Sequence, residues 1–359
     1  AWLSSYETIY ADARQAWKEA VLDKLKQYDG NFFQAYSTTP FVVPCGNTID
    51  EEAAKADGAD TAVFVLSRIA GENADRHDTE GDYFITEEEK ALLAQVSVSY
   101  DNVVLVINTG GLIDLAFTEA FANIKSIVQF MQAGQEGGSA FADILSGAVN
   151  PSGKMTDSWA YTYADYPNAQ TFSHKNGNIE TEKYEEGIFV GYRYFDTFDV
   201  PVRYGFGFGL SYTEFSVVGT GISASGLDTD QPKISVTASV KNIGHTYAGK
   251  EVVEVYVSCP QNNMPKEFRR LAGFGKTALL SPDETQDLTI TFPLYQLASY
   301  HEDKAAWILE AGTYGIWVGN SLEASSLSAT ICLDADVVMV QCETICERKE
   351  DLTELVPDA

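Results

Sequence analysis

Thr61-Ala-Val-Phe-Val-Leu-Ser67, running into Arg68-Ile-Ala-Gly-Glu-Asn-Ala-Asp-Arg76, is the stretch on which the fold turns. Its first half is a continuous apolar run between Gly58 and Gly71. That pattern predicts a strand buried on both faces of a parallel sheet. In open α/β sheets, ligands gather beyond the carboxyl ends of the strands. The segment after Ser67 is therefore where chemistry is expected, and it holds Glu72 beside Gly71, which permits close backbone approach. A lone glutamate in an acidic chain is, by itself, more often a solvated charge than a catalyst.

Strand and helix alternate around this run. Upstream, Tyr6, Tyr10, Ala13, Trp17, Val21 and Leu25 recur at three- and four-residue steps, predicting a helix over 3–28 that Gly30 ends. A short helix from about Ile49 to Asp57 follows. Downstream, Thr86-Glu-Glu-Glu89 reads as a capping box that opens a helix through Val98. Val103–Asn108 reads as a buried strand, followed by a helix through Ala122. A third strand over Ser126–Met131 and a helix over Glu136–Ser146 complete residues 1–160 as an α/β layered domain. Residues 161–212, rich in Tyr, Gly and Pro, read as an ordered connecting segment rather than a flexible linker. Residues 213–333 switch to short alternating strands. Lys233–Val240, Glu251–Val257, Asp287–Phe292 and Gly312–Val318, with turns between them, predict an immunoglobulin-like β-sandwich. Residues 334–359 read as a tail or linker with an acidic end.

Composition narrows the function classes. The 359 residues are 45% hydrophobic and 21% charged, ordinary values for a folded protein. The net charge of −28 repels phosphate backbones, so nucleic acid is an unsuitable partner, and a neutral substrate fits better than an anionic one. No apolar run reaches the roughly 18 residues of a membrane helix, and no signal peptide is visible. Cys45, Cys259, Cys332, Cys342 and Cys346 are odd in number and match no zinc spacing. Read as free thiols, they favour a reducing, cytoplasmic compartment. No metal or cofactor motif is present. Gly275-Lys-Thr277 has Arg270 where a phosphate loop needs its first Gly. Gly205-Phe-Gly-Phe-Gly209 lacks dinucleotide spacing. No G-x-S-x-G elbow exists.

The Arg68–Arg76 stretch resembles the arginine-x-x-glycine-glutamate-x-x-aspartate-arginine loop of glycoside hydrolase family 3. The similarity continues through Gly81-Asp82-Tyr83, Val103–Gly110, Gln132–Gly138, Ala142–Gly147, Asn150–Lys154, Tyr184–Phe195 and Tyr204–Thr213. The sandwich is similar to the family's fibronectin type III-like domain in Val240–Gly244, Ala248–Glu251 and Ala311–Gly315. Resemblance covers about residues 55–333. Departures include Asn73 where Gly is frequent, Gly111-Leu112 in place of glycine-x-proline, and Met155-Thr-Asp-Ser-Trp159 in place of a proline-bearing segment. The last is similar to the branch with rearranged domain order, in which the barrel comes last.

The resemblance implies a retaining exo-β-glycosidase, chiefly a β-glucosidase, acting on neutral oligosaccharides or glycosides. It makes Glu72 the general acid/base, protonated before attack. Arg68, Asp75 and Arg76 are implied to support the loop, with Asp75 and Arg76 as an ion pair, and His77 reads as a surface histidine. The nucleophilic Asp would lie on a (β/α)8 barrel of the same protein. No eight-fold pattern is visible here, and the first strand unit of the α/β domain also looks missing, so this chain alone is expected to be inactive. Asp157-Ser-Trp159 reads as structural. The alternatives are a β-xylosidase or α-arabinofuranosidase of the same family, or a non-catalytic carbohydrate-binding or scaffolding protein. Homo-oligomerisation stays open.

Overall fold

The computed structural model describes residues 2–37, 58–68, 75–229, 231–346 and 349–357. They fall into two compact units, 1–133 and 134–359. The expected helix from Ile49 to Asp57 lies outside the described residues, and so does Cys45.

The first unit opens with α1 (Trp2–Gln27) and α2 (Phe32–Ser37). The helical period holds: Ala13 and Val21 are buried, and Trp17 meets Tyr36 edge-on at 5.2 Å. Gly30, at φ +81°, supplies the left-handed turn after α1. Three parallel strands follow in the order β1 (Thr61–Ser67), β2 (Asn102–Asn108), β3 (Ile124–Gln129). Helix α3 (Glu87–Ser99) makes the β1–β2 crossover and has the expected capping box: Thr86 Oγ1 accepts from Glu89 N, and Glu89 Oε2 accepts from Thr86 N.

Two expectations need correction. Strand β2 buries Val103, Leu105, Val106 and Ile107, but β1 alternates, with Val63 and Val65 46% and 55% exposed. An apolar run in an edge strand need not be covered on both faces. The helix expected before β3 is only a 3-10 turn, Ala116–Ala120, because Asn123 ties back to the carbonyls of Ser97 and Tyr100, leaving a short path to β3.

In the second unit, α4 (Gly137–Leu145) precedes a two-strand ribbon of β4 (Trp159–Ala160) and β5 (Val202–Tyr204), with α5 (Tyr192–Thr197) between them. The sandwich sets a three-stranded antiparallel sheet, β6 (Phe215–Ser225), β7 (Lys233–Asn242) and β10 (Thr285–Pro293), against a four-stranded one. The latter contains β8 (Val252–Ser258), β9 (Arg270–Lys276), β13 (Gly312–Gly319) and β14 (Ser326–Leu333). Alternate residues build the core: Ile234, Val236, Ala238 and Val240 of β7 share it with Val253, Val255 and Val257 of β8. A third small sheet orders β11 (Ser299–His301), β12 (Ala306–Leu309) and β15 (Val337–Gln341).

Strand β8 is buried on both faces, and its second face carries Glu254 and Tyr256. The Gly205–Gly209 run covers Glu254 there. A Cβ on Gly207, at φ +79°, would strike the Glu254 carboxylate, and one on Gly209 would strike the carbonyl of Gly153. The two glycines thus allow close backbone contact at these positions. Burial pushes the Glu254 carboxyl up despite the hydrogen bond from Tyr256 Oη.

Candidate active site

The candidate site lies where β1 and β2 end. Ser67 and Asn108 are register partners, and Asn108 Nδ2 donates to Ser67 Oγ at 3.2 Å. Glu72 itself lies outside the described residues; the chain before it, to Arg68, and after it, from Asp75, is described.

On the near side, Arg68 is 9% exposed and uses every guanidinium proton. Nε donates to the Asp82 carbonyl at 3.0 Å, Nη1 to the Ser67 carbonyl at 2.8 Å, and Nη2 to the Phe84 carbonyl at 3.2 Å. The two remaining protons form a fork to Glu89, at 2.6 and 2.8 Å. Glu89 is also the capping-box residue, so one carboxylate starts α3 and fixes Arg68.

On the far side, Arg76 donates from Nε to Asp82 Oδ1 at 2.6 Å, from Nη2 to the Asp82 carbonyl at 2.8 Å, and from Nη1 to the Leu112 carbonyl at 2.6 Å. The Asp82 carbonyl therefore accepts from both arginines, while Asp82 Oδ2 accepts from His77 N. Residues 68 and 76, which bracket the glutamate, are tied to one peptide group. Behind it, Thr109, fully buried, donates to the Gly111 carbonyl, and Asp114 N donates to the Tyr83 carbonyl. A Cβ on Gly111 would sit 3.0 Å from Arg76 Nη1, so the glycine leaves room for that guanidinium.

The partner of Arg76 is thus Asp82, not Asp75, which is exposed. Proximity in sequence misled here: the turn over 78–84 brings Asp82 back under Arg76, with Tyr83 N bonded to the His77 carbonyl. His77 is exposed, as expected of a surface histidine. Asp82 and Glu89 are the residues that sequence reasoning passed over as site members. Their signals were present in Gly81-Asp82-Tyr83 and in the capping box, but both read as local structure. The geometry yields a direct test. Arg76→Lys keeps the charge but replaces the planar fork, which donates from three different nitrogens, with a single nitrogen, and should cost about 1–3 kcal/mol in thermal or denaturant unfolding. Asp75→Ala should stay within about 0.5 kcal/mol of wild type. A larger loss for Asp75→Ala than for Arg76→Lys would overturn the assignment.

Among the described residues, no group of His, Cys, Asp and Glu could hold a metal ion, and no helix is long and apolar enough to cross a membrane. Cys259, Cys332, Cys342 and Cys346 are free thiols.

The first unit is thus a parallel α/β layer in which Arg68 and Arg76 share one acceptor beyond β1, and the second holds a β-sandwich. Comparison with known proteins gives the family. The profile described as Glycosyl hydrolase family 3 C-terminal domain matches residues 3–192, over half the chain, and the fibronectin type III-like profile matches residues 251–322. The chain belongs to glycoside hydrolase family 3. A β-glucosidase of Ruminococcus albus is 40% identical over 80% of this chain and 30% of its own length. An exo-α-(1→6)-L-arabinopyranosidase of Bifidobacterium longum is 33% identical over 82% of this chain and 37% of its own length. The crystal structure of a β-glucosidase from Paenibacillus barengoltzii superposes with a TM-score of 0.77 at 36% identity, covering 85% of this chain and 33% of that one. The chain thus spans about a third of the length of these relatives.

Proposed function

We propose that this chain is the acid/base-bearing part of a retaining exo-β-glycosidase, chiefly a β-glucosidase, with Glu72 as the general acid/base. The supporting observation is that Arg68 and Arg76, on either side of Glu72 in the sequence, both donate to the Asp82 carbonyl. A general acid must be held within hydrogen-bonding reach of its leaving oxygen. A segment whose flanking arginines are both fixed suits that requirement better than one with free ends. The nucleophilic Asp belongs to a (β/α)8 barrel of the same protein. The two carboxylates would stand about 5–5.5 Å apart in the working enzyme, the spacing of retention. On this reading the modules run 1–160, 161–212 and 213–333, with 334–359 leading to the barrel. The substrate is a neutral glycoside cleaved from its non-reducing end.

The name of the Bifidobacterium relative makes an arabino-configured terminal sugar the second reading. A panel of nitrophenyl glycosides tests both. The 359-residue chain should turn over none of them. The barrel-bearing protein should release nitrophenol fastest from the β-glucoside, ahead of the β-xyloside, α-arabinopyranoside and α-arabinofuranoside. Fastest release from either arabinoside would transfer the assignment to the second reading. No turnover by the barrel-bearing protein would leave a carbohydrate-binding role instead.

A further inference from the structure

After β15 the chain, read from sequence as a tail or linker, turns back onto the connecting segment of the same unit. Leu355 N donates to the Glu185 carbonyl at 2.8 Å, and a Glu350 carboxylate oxygen lies 3.9 Å from Lys183 Nζ. A Cβ on Gly187, at φ +55°, would sit 3.1 Å from Glu354 Oε2. Leu352, Leu355 and Pro357 are half-buried, while Asp351, Thr353, Glu354 and Val356 are exposed. Residues 351–357 thus have one side on protein and one in water.

The turn beneath them is well defined. Gly187 N donates to the Tyr184 carbonyl at 3.2 Å, and Phe189 N to the Glu186 carbonyl at 2.9 Å. Phe189 is buried and meets Phe198 edge-on at 5.1 Å. Helix α5, which follows, is fastened to the sandwich by the Asp196–Arg269 ion pair and by Leu271 N donating to Tyr192 Oη at 2.9 Å. One side of the turn is therefore fixed through α5, and the other is met by residues 350–355. Charge opposes that second contact. Residues 349–354 carry Lys349 against Glu350, Asp351 and Glu354, and residues 182–186 carry Lys183 against Glu182, Glu185 and Glu186. Both sides are net negative, and the one printed ion pair between them is exposed and so contributes little.

We propose that residues 349–357 form a releasable strap over the 183–187 turn, docked when salt screens the like charges and released when it does not. The contact rests on one backbone hydrogen bond and a few half-buried side chains, a modest hold that repulsion between two acidic segments can offset. Screening weakens that repulsion more than it weakens the single ion pair, so added salt closes the strap. Both halves of the device lie on this chain, so it needs neither Glu72 nor a barrel. On the reading that residues 334–359 lead to the barrel, the strap also fixes where that module departs from the connecting segment. Only this last consequence rests on that reading.

Hydrogen–deuterium exchange of the 359-residue chain tests the strap, read at the Gly187 and Phe189 amides in about 0.01 M and about 0.1 M salt. The β7 amides serve as the internal standard for an intact sandwich. In the wild type, exchange in the turn should slow relative to β7 as salt rises. Leu355→Pro removes the N–H that the Glu185 carbonyl accepts. It should speed exchange in the turn roughly three- to tenfold at the higher salt, and much less at the lower, where the strap is already open. Glu185→Gln keeps that carbonyl but removes a like charge, so it should slow exchange in the turn at the lower salt. A Leu355→Pro turn that exchanges like the wild type at both salts would overturn the strap. A wild-type turn that opens as salt rises, or a Glu185→Gln turn no better protected at low salt, would overturn its dependence on charge.

Discussion

Glu72→Gln in the barrel-bearing enzyme is expected to lower kcat on cellobiose-like substrates by about 10²–10⁴-fold, the usual contribution of a positioned general acid or base. The loss should depend on the leaving group. A sugar alkoxide needs a proton as the glycosidic bond breaks, whereas a dinitrophenolate does not, so glycosylation by an activated aryl glycoside should be nearly spared. Hydrolysis of the resulting glycosyl-enzyme would still lack its base, and azide, a nucleophile that needs no deprotonation, should restore turnover and yield the glycosyl azide. The basic limb of the pH profile should disappear, because glutamine has no proton to lose. Together these readouts distinguish an acid/base from a residue that only shapes the loop, whose loss would hit all leaving groups alike. Uniform losses without azide rescue would remove Glu72 from the chemistry.

The anchoring around that residue was only partly legible in the sequence. Strand β7 could be read directly, since Lys233–Asn242 alternates residue by residue and buries every second side chain. The fold class, α/β followed by an all-β sandwich, came from such regular stretches and is what the structure has. Strand β9 was hidden by Gly273 and Gly275, which resemble loop residues until their neighbours are known. A Cβ at position 273 would lie 2.7 Å from Ile290 Cγ2, so the glycine accommodates the facing sheet. Strand β6 was hidden in the same way: at Gly219 a Cβ would lie 2.7 Å from Ser328 Oγ. These glycines answer to partners more than a dozen residues away, which local period and turn chemistry do not record. The Arg76–Asp82 pair escaped for a related reason. Its register depends on the turn over 78–84, whereas Asp75 invited pairing by adjacency alone. The Lys266–Glu310 pair was likewise invisible, being 44 residues apart with no pattern to join the two.

That pair carries the largest stability effect expected in the sandwich. Lys266 and Glu310 are each 2% exposed and form a direct ion pair. The ammonium is fully used, donating also to the Pro260 carbonyl at 2.7 Å and the Met264 carbonyl at 3.1 Å. Glu310 Oε1 accepts from Asn263 N at 3.0 Å, and the Glu310 carbonyl accepts from Tyr314 Oη at 2.7 Å. The pair thereby clamps the β8–β9 connection onto the end of β12, beside the small cluster of Met264, Ala306 and Ile308. Lys266→Ala leaves a buried carboxylate and two carbonyls without their partner, and should cost about 3–5 kcal/mol. Lys266→Met with Glu310→Leu removes both charges together with their desolvation penalty, and should recover most of that loss. Burial pushes the Glu310 carboxyl up, but the hydrogen bonds from Lys266 and Asn263 outweigh it and hold the group below the ordinary glutamate range. A carboxyl lowered in the folded state stabilises above its unfolded value and loses that contribution as pH falls through the folded one. The wild type's advantage over Glu310→Gln should therefore be full at neutral pH and shrink once pH drops below the ordinary glutamate value of about 4.3. Urea unfolding at pH 7 and at progressively lower pH measures both effects. An advantage over Glu310→Gln that grows on acidification, or a Lys266→Ala cost below about 1 kcal/mol, would show that this clamp does not hold the sandwich.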